Sequence, residues 1–399
     1  MSEINIRTLF PFKRVKITEI KSSDDGVLTL VKIEPDNRCL PICSGCRHTA
    51  HRVHSIKTRT LNDLPMSGSK VIVYYKYRTV WCPRCCAFRV EHHDFVEPYA
   101  RATNRFVHYI HALCKLMTVT DVATYTRLSW DQVRRIDKIE LKKRYSEMPT
   151  KRLSILCIDE ISVKKRHNYL TVIADHQTGR VLDVLESRTF DCVSMFLKNL
   201  SKSVRNEIKA VAMDMWDPYI KAFKKWCPDA CIVFDPFHVI AAFSKVIDQI
   251  RAEQYREADA HRKNLMKRCR FLLLKNPENL KKEQRPKLKA ILDENALLAQ
   301  VYLLKEYLKR LWQYKYPKAA ENFLNYWCEL AEQTESELLI KFTKMLKKHA
   351  YGILNHCRFQ INNARLEGIN NKIKVIKRTA YGYRDLEYFK LKIIQATAN

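Results

Sequence analysis

Three segments in close succession decide the fold: LSILCIDEIS (153–162), NYLTVIADHQTG (168–179) and RVLDVLESRTF (180–190). Each is a short run rich in Ile, Leu, Val and Tyr, the composition of a buried or half-buried strand. Their connections are short, and the turn DHQTGR (175–180) contains the glycine expected of a hairpin connection. The three predict an antiparallel meander. Downstream the texture alternates: a helical segment near 191–204, then IKAVAMDMW (208–216), DPYIKAFKKWC (217–227) and CIVFDPFHVI (231–240). Strand–helix–strand units favour parallel pairing through right-handed crossovers. Residues 151–240 therefore predict an α/β fold, a mixed five-stranded sheet flanked by helices.

Upstream, residues 106–150 read as helical. Within TVTDVATYTRLSWDQVRRIDKI (118–139), Thr118 is a natural cap for one short amphipathic helix, and Ser129 with Gln132 forms a capping-box pattern for a second. Val119, Val122, Ala123, Leu128, Val133 and Ile136 are spaced to pack the two together, the texture of a helix-turn-helix. Gln132, Arg134 and Arg135 on the second helix are candidates for base readout. Residues 1–105 hold a cysteine cluster and strand-like runs such as KVIVYYKYRTVWC (70–82). Residues 241–350 are charged and helical, as in NALLAQVYLLKEYLKRLW (295–312), and 351–399 return to helix interrupted by Gly368 and Gly382.

The formal net charge is +29 and the pI about 9.6. So large an excess points to a polyanionic partner, most simply nucleic acid, bound largely through phosphates. A hydrophobic fraction of 46% argues against disorder. No apolar run approaches the roughly eighteen residues of a spanning helix, and MSEINIRTLFPFKRVKITEI (1–20) lacks a signal-peptide core. The expectation is an intracellular protein with no membrane partner.

Of fourteen cysteines, six lie between Cys39 and Cys86. Cys43-x-x-Cys46 and Cys82-x-x-Cys85 are two knuckles able to pair in space around a tetrahedral structural Zn2+. Cys39 and Cys86 flank them as competitors, and His48, His51 and His54 leave a mixed Cys/His site open. The other cysteines read as small core residues.

Three carboxylates stand out. Asp159 ends an apolar run at what reads as the tip of a central strand, and Asp214 ends another. Glu367, within NNARLEGINNKIKVIKR (362–378), is the only acid between Glu337 and Asp385, a stretch with eleven Lys and Arg. Carboxylates converging from adjacent strands and a covering helix suit Mg2+, which takes hard oxygen ligands and shares them with phosphates. Two such ions can serve an in-line phosphodiester displacement. A strand-end Asp is more commonly a cap or turn residue, Glu160 competes with Asp159, and Asp175, Asp217 and Asp235 also lie near strand ends. Arg365, Lys372, Lys374, Lys377 and Arg378 around Glu367 are candidates for holding phosphates.

CIDEISVKKRHNYLTVIADHQTGRVLDV (157–184), VAMDMWDPYIKAF (211–223), FDPFHVI (234–240) and NNARLEGINNKIKVIKRTAYGYRDLEYFKLKI (362–393) together resemble the DDE transposases of bacterial insertion sequences, specifically the ISL-three family with its N-terminal zinc finger. The likeness runs from about Cys39 to Ile394. It implies an RNase H-like core in two parts, 151–240 and 351–399, interrupted by an all-helical insertion at 241–350. A zinc-binding β-rich domain (1–105) and a helix-turn-helix (106–150) would precede it. Asp159, Asp214 and Glu367, spaced by 55 and 153 residues, would then be the DDE ligands of two Mg2+ or Mn2+ ions. Asp235 and His238 match an Asp-x-x-His signature, His238 being equally readable as a core or capping residue. Trp216, more ordinarily a core residue, joins them as an accessory candidate.

The expected activity is a DNA transposase, binding terminal inverted repeats of double-stranded DNA and acting as a dimer or larger synaptic complex in the cytoplasm at the nucleoid. Two alternatives remain: a catalytically inactive DNA-binding regulator, and an RNase H-like nuclease.

Overall fold

The computed structural model describes residues 6–146, 153–164, 168–361 and 364–398. The chain divides into two compact units, 1–146 with 377–391, and 147–376 with 392–399.

In the first unit, strands β1 (Val15–Ser22), β2 (Leu28–Pro35), β3 (Arg52–Met66), β4 (Ser69–Cys82) and β5 (Ala87–Val90) form one sheet. Its order is β1-β2-β4-β3, with β5 also on β4. The β2/β4 pair is parallel and the other pairs are antiparallel. Val71, Val73 and Tyr75 alternate inward along β4 and meet Val31, Ile33, Leu61, Phe10, Phe95 and Val96. Each such side chain contributes about 1.5–3 kcal/mol on full burial.

Three helices follow: α1 (Asn104–Leu116), α2 (Val119–Thr126) and α3 (Trp130–Tyr145). The caps read from the sequence are present. Thr118 and Asp121 form a capping box on α2, and Ser129 and Gln132 form one on α3. Val122, Ala123, Leu128 and Val133 pack with Phe106 and Ile110 of α1. Arg127 makes the turn between α2 and α3 in the left-handed region, φ 52°.

The second unit holds β6 (Ile155–Lys164), β7 (Asn168–Asp175), β8 (Val181–Leu185), β9 (Ala210–Met213) and β10 (Cys231–Phe234). The order is β10-β9-β6-β7-β8. β6, β7 and β8 form the antiparallel meander, while β9 and β10 are parallel additions, so the expected mixed five-stranded sheet is present. Helices α4 (Phe190–Asn199), α5 (Asp217–Trp226), α6 (Pro236–Glu257), α7 (Glu337–Leu354), α8 (Ala364–Thr379) and α9 (Leu386–Thr397) belong wholly or partly to this unit. The residues between α6 and α7 are helical as expected. They share one apolar core with the sheet, which includes Phe234 of β10 and a ring cluster of Phe243, Trp327 and Phe342. Gly352 lets α7 approach β10, because a Cβ there would sit 2.5 Å from Phe234 Cδ2.

Several expected boundaries move. Those at 105/106, 240/241 and 350/351 fall inside α1, α6 and α7, and the one at 150/151 lies outside the described residues. Texture changes where a helix leaves one neighbour for another, whereas the apolar stripe of Val239, Phe243, Ile247 and Ile250 continues unbroken along α6. Residues 377–391, expected with the core, group with the first unit. There Tyr388 and Leu391 pack on Leu141. Tyr388 donates to buried Asp137 at 2.6 Å, and His111 Nδ1 lies 2.7 Å from the same carboxylate.

Candidate active site and metal centres

Asp159 does not end its strand. It is the fifth residue of ten in β6, two beyond Cys157, the last β6 residue paired with β9. β9 stops at Met213, and Asp214 follows immediately. The two carboxylates meet where the shorter strand stops, because β6 continues as an arm paired only with β7. His238, in the first turn of α6 after its Asp235 cap, reaches the same point. Ligand atoms of Asp159, Asp214 and His238 all lie within 4.8 Å of one another. His238 Nε2 is 2.7 Å from Asp214 Oδ1 and 3.8 Å from Asp235 Oδ2.

A fourth side chain closes over Asp159. α8 buries Leu366, Ile369, Asn370 and Ile373 on one stripe, and Asn370 Nδ2 donates to Asp159 Oδ2. The amide is only 7% exposed, and its Oδ1 has no hydrogen-bond partner among the described residues. Glu367 lies one turn earlier on α8 and is exposed, outside the three-residue cluster. The structure thus joins Asp159 to Asp214 and adds His238 and Asn370, but does not bring Glu367 among them. Asn370 is not singled out among the asparagines around Glu367, which the sequence offers only as a group able to bond DNA or orient its carboxylate; its helical spacing from Glu367 is the signal that could have found it.

Burial pushes the Asp159 carboxyl up to about 6, and the negative charge of Asp214 adds to this. The Glu160 backbone N–H, His238 and Asn370 pull the other way. His238 is opposed by burial, yet its contact with Asp214 and the surrounding carboxylates raise it above its ordinary value. Two carboxylates that repel each other in a part-buried pocket form a donor set relieved by a divalent cation, and their hard oxygens fit Mg2+ or Mn2+.

The competing acids are otherwise employed. Asp175 closes the β7–β8 turn by accepting from Gln177 N (3.1 Å) and Thr178 Oγ1 (2.6 Å), with Gly179 at φ 76°. Asp217 begins α5 and lies 3.6 Å from Lys348 Nζ. Glu160 faces away from Asp159, as strand alternation requires, and takes Arg188 Nη1 at 3.2 Å and Tyr219 OH at 3.3 Å.

In the first unit the two cysteine knuckles meet. Cys43 Sγ lies 3.8 Å from Cys85 Sγ, and Cys46 Sγ lies 3.5 Å from Cys82 Sγ. A tetrahedron with Zn–S bonds of about 2.3 Å has sulfur–sulfur edges near 3.8 Å, so the four thiols fit Zn2+. The Cys85 backbone N–H, and behind it the neighbouring thiols, pull Cys82 down to about 6 despite burial. Cys39 and Cys86 lie outside the cluster. His48 and His54 are also elsewhere, His48 with Arg84 and His54 against Phe88.

The cations read as DNA contacts differ in setting. Arg134 Nη1 donates to Asp385 Oδ2 at 2.8 Å, and Lys138 joins the same carboxylate at 2.6 Å. Gln132 Oε1 accepts from Ser129 N in the capping box, and Arg135 is exposed. Arg365 donates to the His176 and Gln177 carbonyls, and Lys372 donates to the Ala396 carbonyl. Lys374 and Arg378 are exposed, and Lys377 is half-buried.

A family model for the ISL3 transposase matches residues 156–393, more than half of the chain, and covers Asp159, Asp214, His238 and Glu367. The chain belongs to the ISL3 transposase family. A second model, the helix-turn-helix domain of transposase family ISL3, matches 91–138. The chain is 36% identical over 373 residues to the transposase for insertion sequence element IS1001 of Bordetella parapertussis, which covers 93% of this chain and 92% of that protein. It is 27% identical over 299 residues to the transposase for IS1557 of Mycobacterium tuberculosis, covering 68% of this chain and 65% of that one. Membership of this family carries an RNase H-like core and DNA binding through the helix-turn-helix. Among the described residues, no helix is long and apolar enough to cross a membrane.

Proposed function

We propose that this ISL3 transposase binds the terminal inverted repeats of its insertion sequence and catalyses DNA strand cleavage and strand transfer with two divalent cations. The convergence of Asp159 and Asp214, with the Glu367 helix placing Asn370 on Asp159, carries the reading. Bound Mg2+ or Mn2+ supplies Lewis acidity at the attacking and leaving oxygens of an in-line displacement. Asp159 and Asp214 provide the oxygen ligands, and Glu367, one turn from Asn370, completes the set when substrate is bound. His238 orients Asp214 from Nε2, with Asp235 behind it, and Asn370 orients Asp159. Water opens the strand at the element's end, and the 3′-hydroxyl so freed displaces a phosphodiester oxygen of target DNA.

In the first unit Cys43, Cys46, Cys82 and Cys85 hold a structural Zn2+. Gln132, Arg134 and Arg135 face the repeats. Lys374, Lys377 and Arg378 contribute phosphate contacts, while Arg365 and Lys372 brace α8. A dimer or larger synaptic complex of double-stranded DNA ends, in the cytoplasm at the nucleoid, completes the reading.

Glu367→Gln should bind end DNA with unchanged affinity and fail to cleave it in Mg2+ or Mn2+. Undiminished cleavage by that variant would remove Glu367 from the site. Tight end binding by the unaltered protein with no metal-dependent cleavage would favour a DNA-binding regulator instead.

A further inference from the structure

Beside the carboxylates lies a second constructed cluster that the chemistry above leaves unused. Arg188 sits between β8 and α4. Its guanidinium lies 4.8 Å from the Tyr169 ring centroid and 4.6 Å from that of Trp216. Nη1 donates to Glu160 Oε2 at 3.2 Å, and Trp216 Nε1 donates back to the Arg188 carbonyl at 3.1 Å. Behind Glu160, the Tyr219 hydroxyl donates to its Oε1 at 3.3 Å and lies 2.7 Å from Thr171 Oγ1. Three side chains thus hold the guanidinium, and Tyr219 and Thr171 support Glu160 from behind.

Cations that brace this fold behave differently. Lys305 is 4% exposed and donates to the Leu273 and Lys275 carbonyls, and Arg365 spends its Nη1 on two turn carbonyls. Arg188, held by two rings and one carboxylate, keeps 41% of its side chain exposed, and Glu160 is its one acceptor among the described residues. A guanidinium offers five N–H donors in a planar fork, so most of them are available to a ligand. Trp216 is 37% exposed and immediately precedes α5, so the ring beside the guanidinium also stands open to solvent. Restricted, planar and open cationic donors suit an oxyanion whose two oxygens can take the fork, and in a chain of net charge +29 that belongs to a transposase family the oxyanion at hand is a DNA phosphodiester.

We propose that Arg188, oriented by Tyr169, Trp216 and Glu160, is a phosphate clamp for the DNA strand engaged at Asp159 and Asp214. The inference rests on the transposase reading of that site. Trp216 follows Asp214 by two residues, so their Cα atoms are at most about 7 Å apart. Phosphates succeed one another at about 3.4 Å of axis per strand. A phosphate held there would lie within a few nucleotides of the scissile one. Arg188 binds substrate, whereas Glu160 is a positioning residue acting through Arg188.

The test uses the full chain and a duplex carrying the element's own terminal repeat, in Ca2+ so that binding is read without cleavage. Neutral methylphosphonates replace single phosphates around the scissile position. The unaltered protein should lose about tenfold in affinity at one or two neighbouring positions. Arg188→Ala and Arg188→Gln should lose a similar factor on native DNA and nothing further at those positions, with melting temperatures showing that both fold. Arg188→Lys should recover part of the loss, since it restores charge without the fork. If Arg188→Gln remains as sensitive as the unaltered protein at every position, Arg188 is no clamp. Cleavage of native duplex in Mn2+ is scored separately. Its absence with the Arg188 pattern intact would refute the transposition chemistry and leave the clamp standing. Cleavage without the Arg188 pattern would do the reverse.

Discussion

Replacing Asn370 with alanine removes the hydrogen bond that α8 makes to Asp159 and nothing else polar, since the amide Oδ1 has no partner among the described residues. A hydrogen bond to a charged group contributes about 1.5–3 kcal/mol. At 1.4 kcal/mol per factor of ten, losing it should weaken the divalent-ion affinity of the site by about 10- to 100-fold, the range found when a partner orienting a metal ligand is lost. The assay is a Mn2+ titration followed by thermal shift, in which a ligand bound only to the folded state raises the melting temperature with concentration. The Asn370→Ala curve should move to higher Mn2+ by that factor. Asn370→Asp sets a further carboxylate against Asp159 in a buried position, so it should melt lower than the unaltered protein without metal and regain stability as Mn2+ is added. Superimposable titrations for Asn370→Ala and the unaltered protein would refute the reasoning, because Asn370 would then fill space over Asp159 without orienting it.

In the first unit, Arg78 makes a bidentate pair with Glu91 (2.7 and 2.6 Å), both buried. Arg78→Met should cost about 3–5 kcal/mol in denaturant unfolding by stranding the carboxylate, with Arg78→Met/Glu91→Met recovering most of it. Burial opposes ionisation of Glu91, but Arg78 and His93 win and hold it below its ordinary 4.5. The pair's contribution is therefore full above that value and lost as pH falls below it, measurable as an acid-side drop absent from the double variant. Asp385→Asn keeps the cap that accepts from Tyr388 N at 3.0 Å but frees Arg134, while Lys138 keeps its bridge to Glu387 at 2.8 Å. DNA affinity at low salt should rise, and the salt slope should steepen by about one, read by fluorescence anisotropy. Cys46→Ser should abolish the bound zinc measured by atomic emission, whereas Cys86→Ser, whose thiol donates to the Pro83 carbonyl outside the cluster, should leave it unchanged.

The legible features were those with short-range causes. The capping residues Thr118, Ser129 and Gln132 act within one helical turn, so α2 and α3 could be read in place. The meander β6-β7-β8 follows from neighbouring apolar runs joined by brief turns, and the cysteine pairs announce themselves by spacing. Other features were not legible. Asp385, which occupies Arg134 and Lys138, is about 250 residues distant from both. Arg365 looked like any other cation near Glu367, and only the turn carbonyls of His176 and Gln177 show where its donors go.

By itself the sequence determined the periodicities, the two parallel strands added to a meander, the two cysteine knuckles and the two aspartates that follow apolar runs. Only the tertiary structure decided that Asp159 lies midway along β6 and that Asn370 covers it. It also decided that His238 turns to Asp214 and that Arg188 is held between Tyr169 and Trp216. The physical reason is range. Propensity, capping and alternation act over a few residues, whereas a carboxylate's partners depend on where one strand stops beside another and which helix face closes over both.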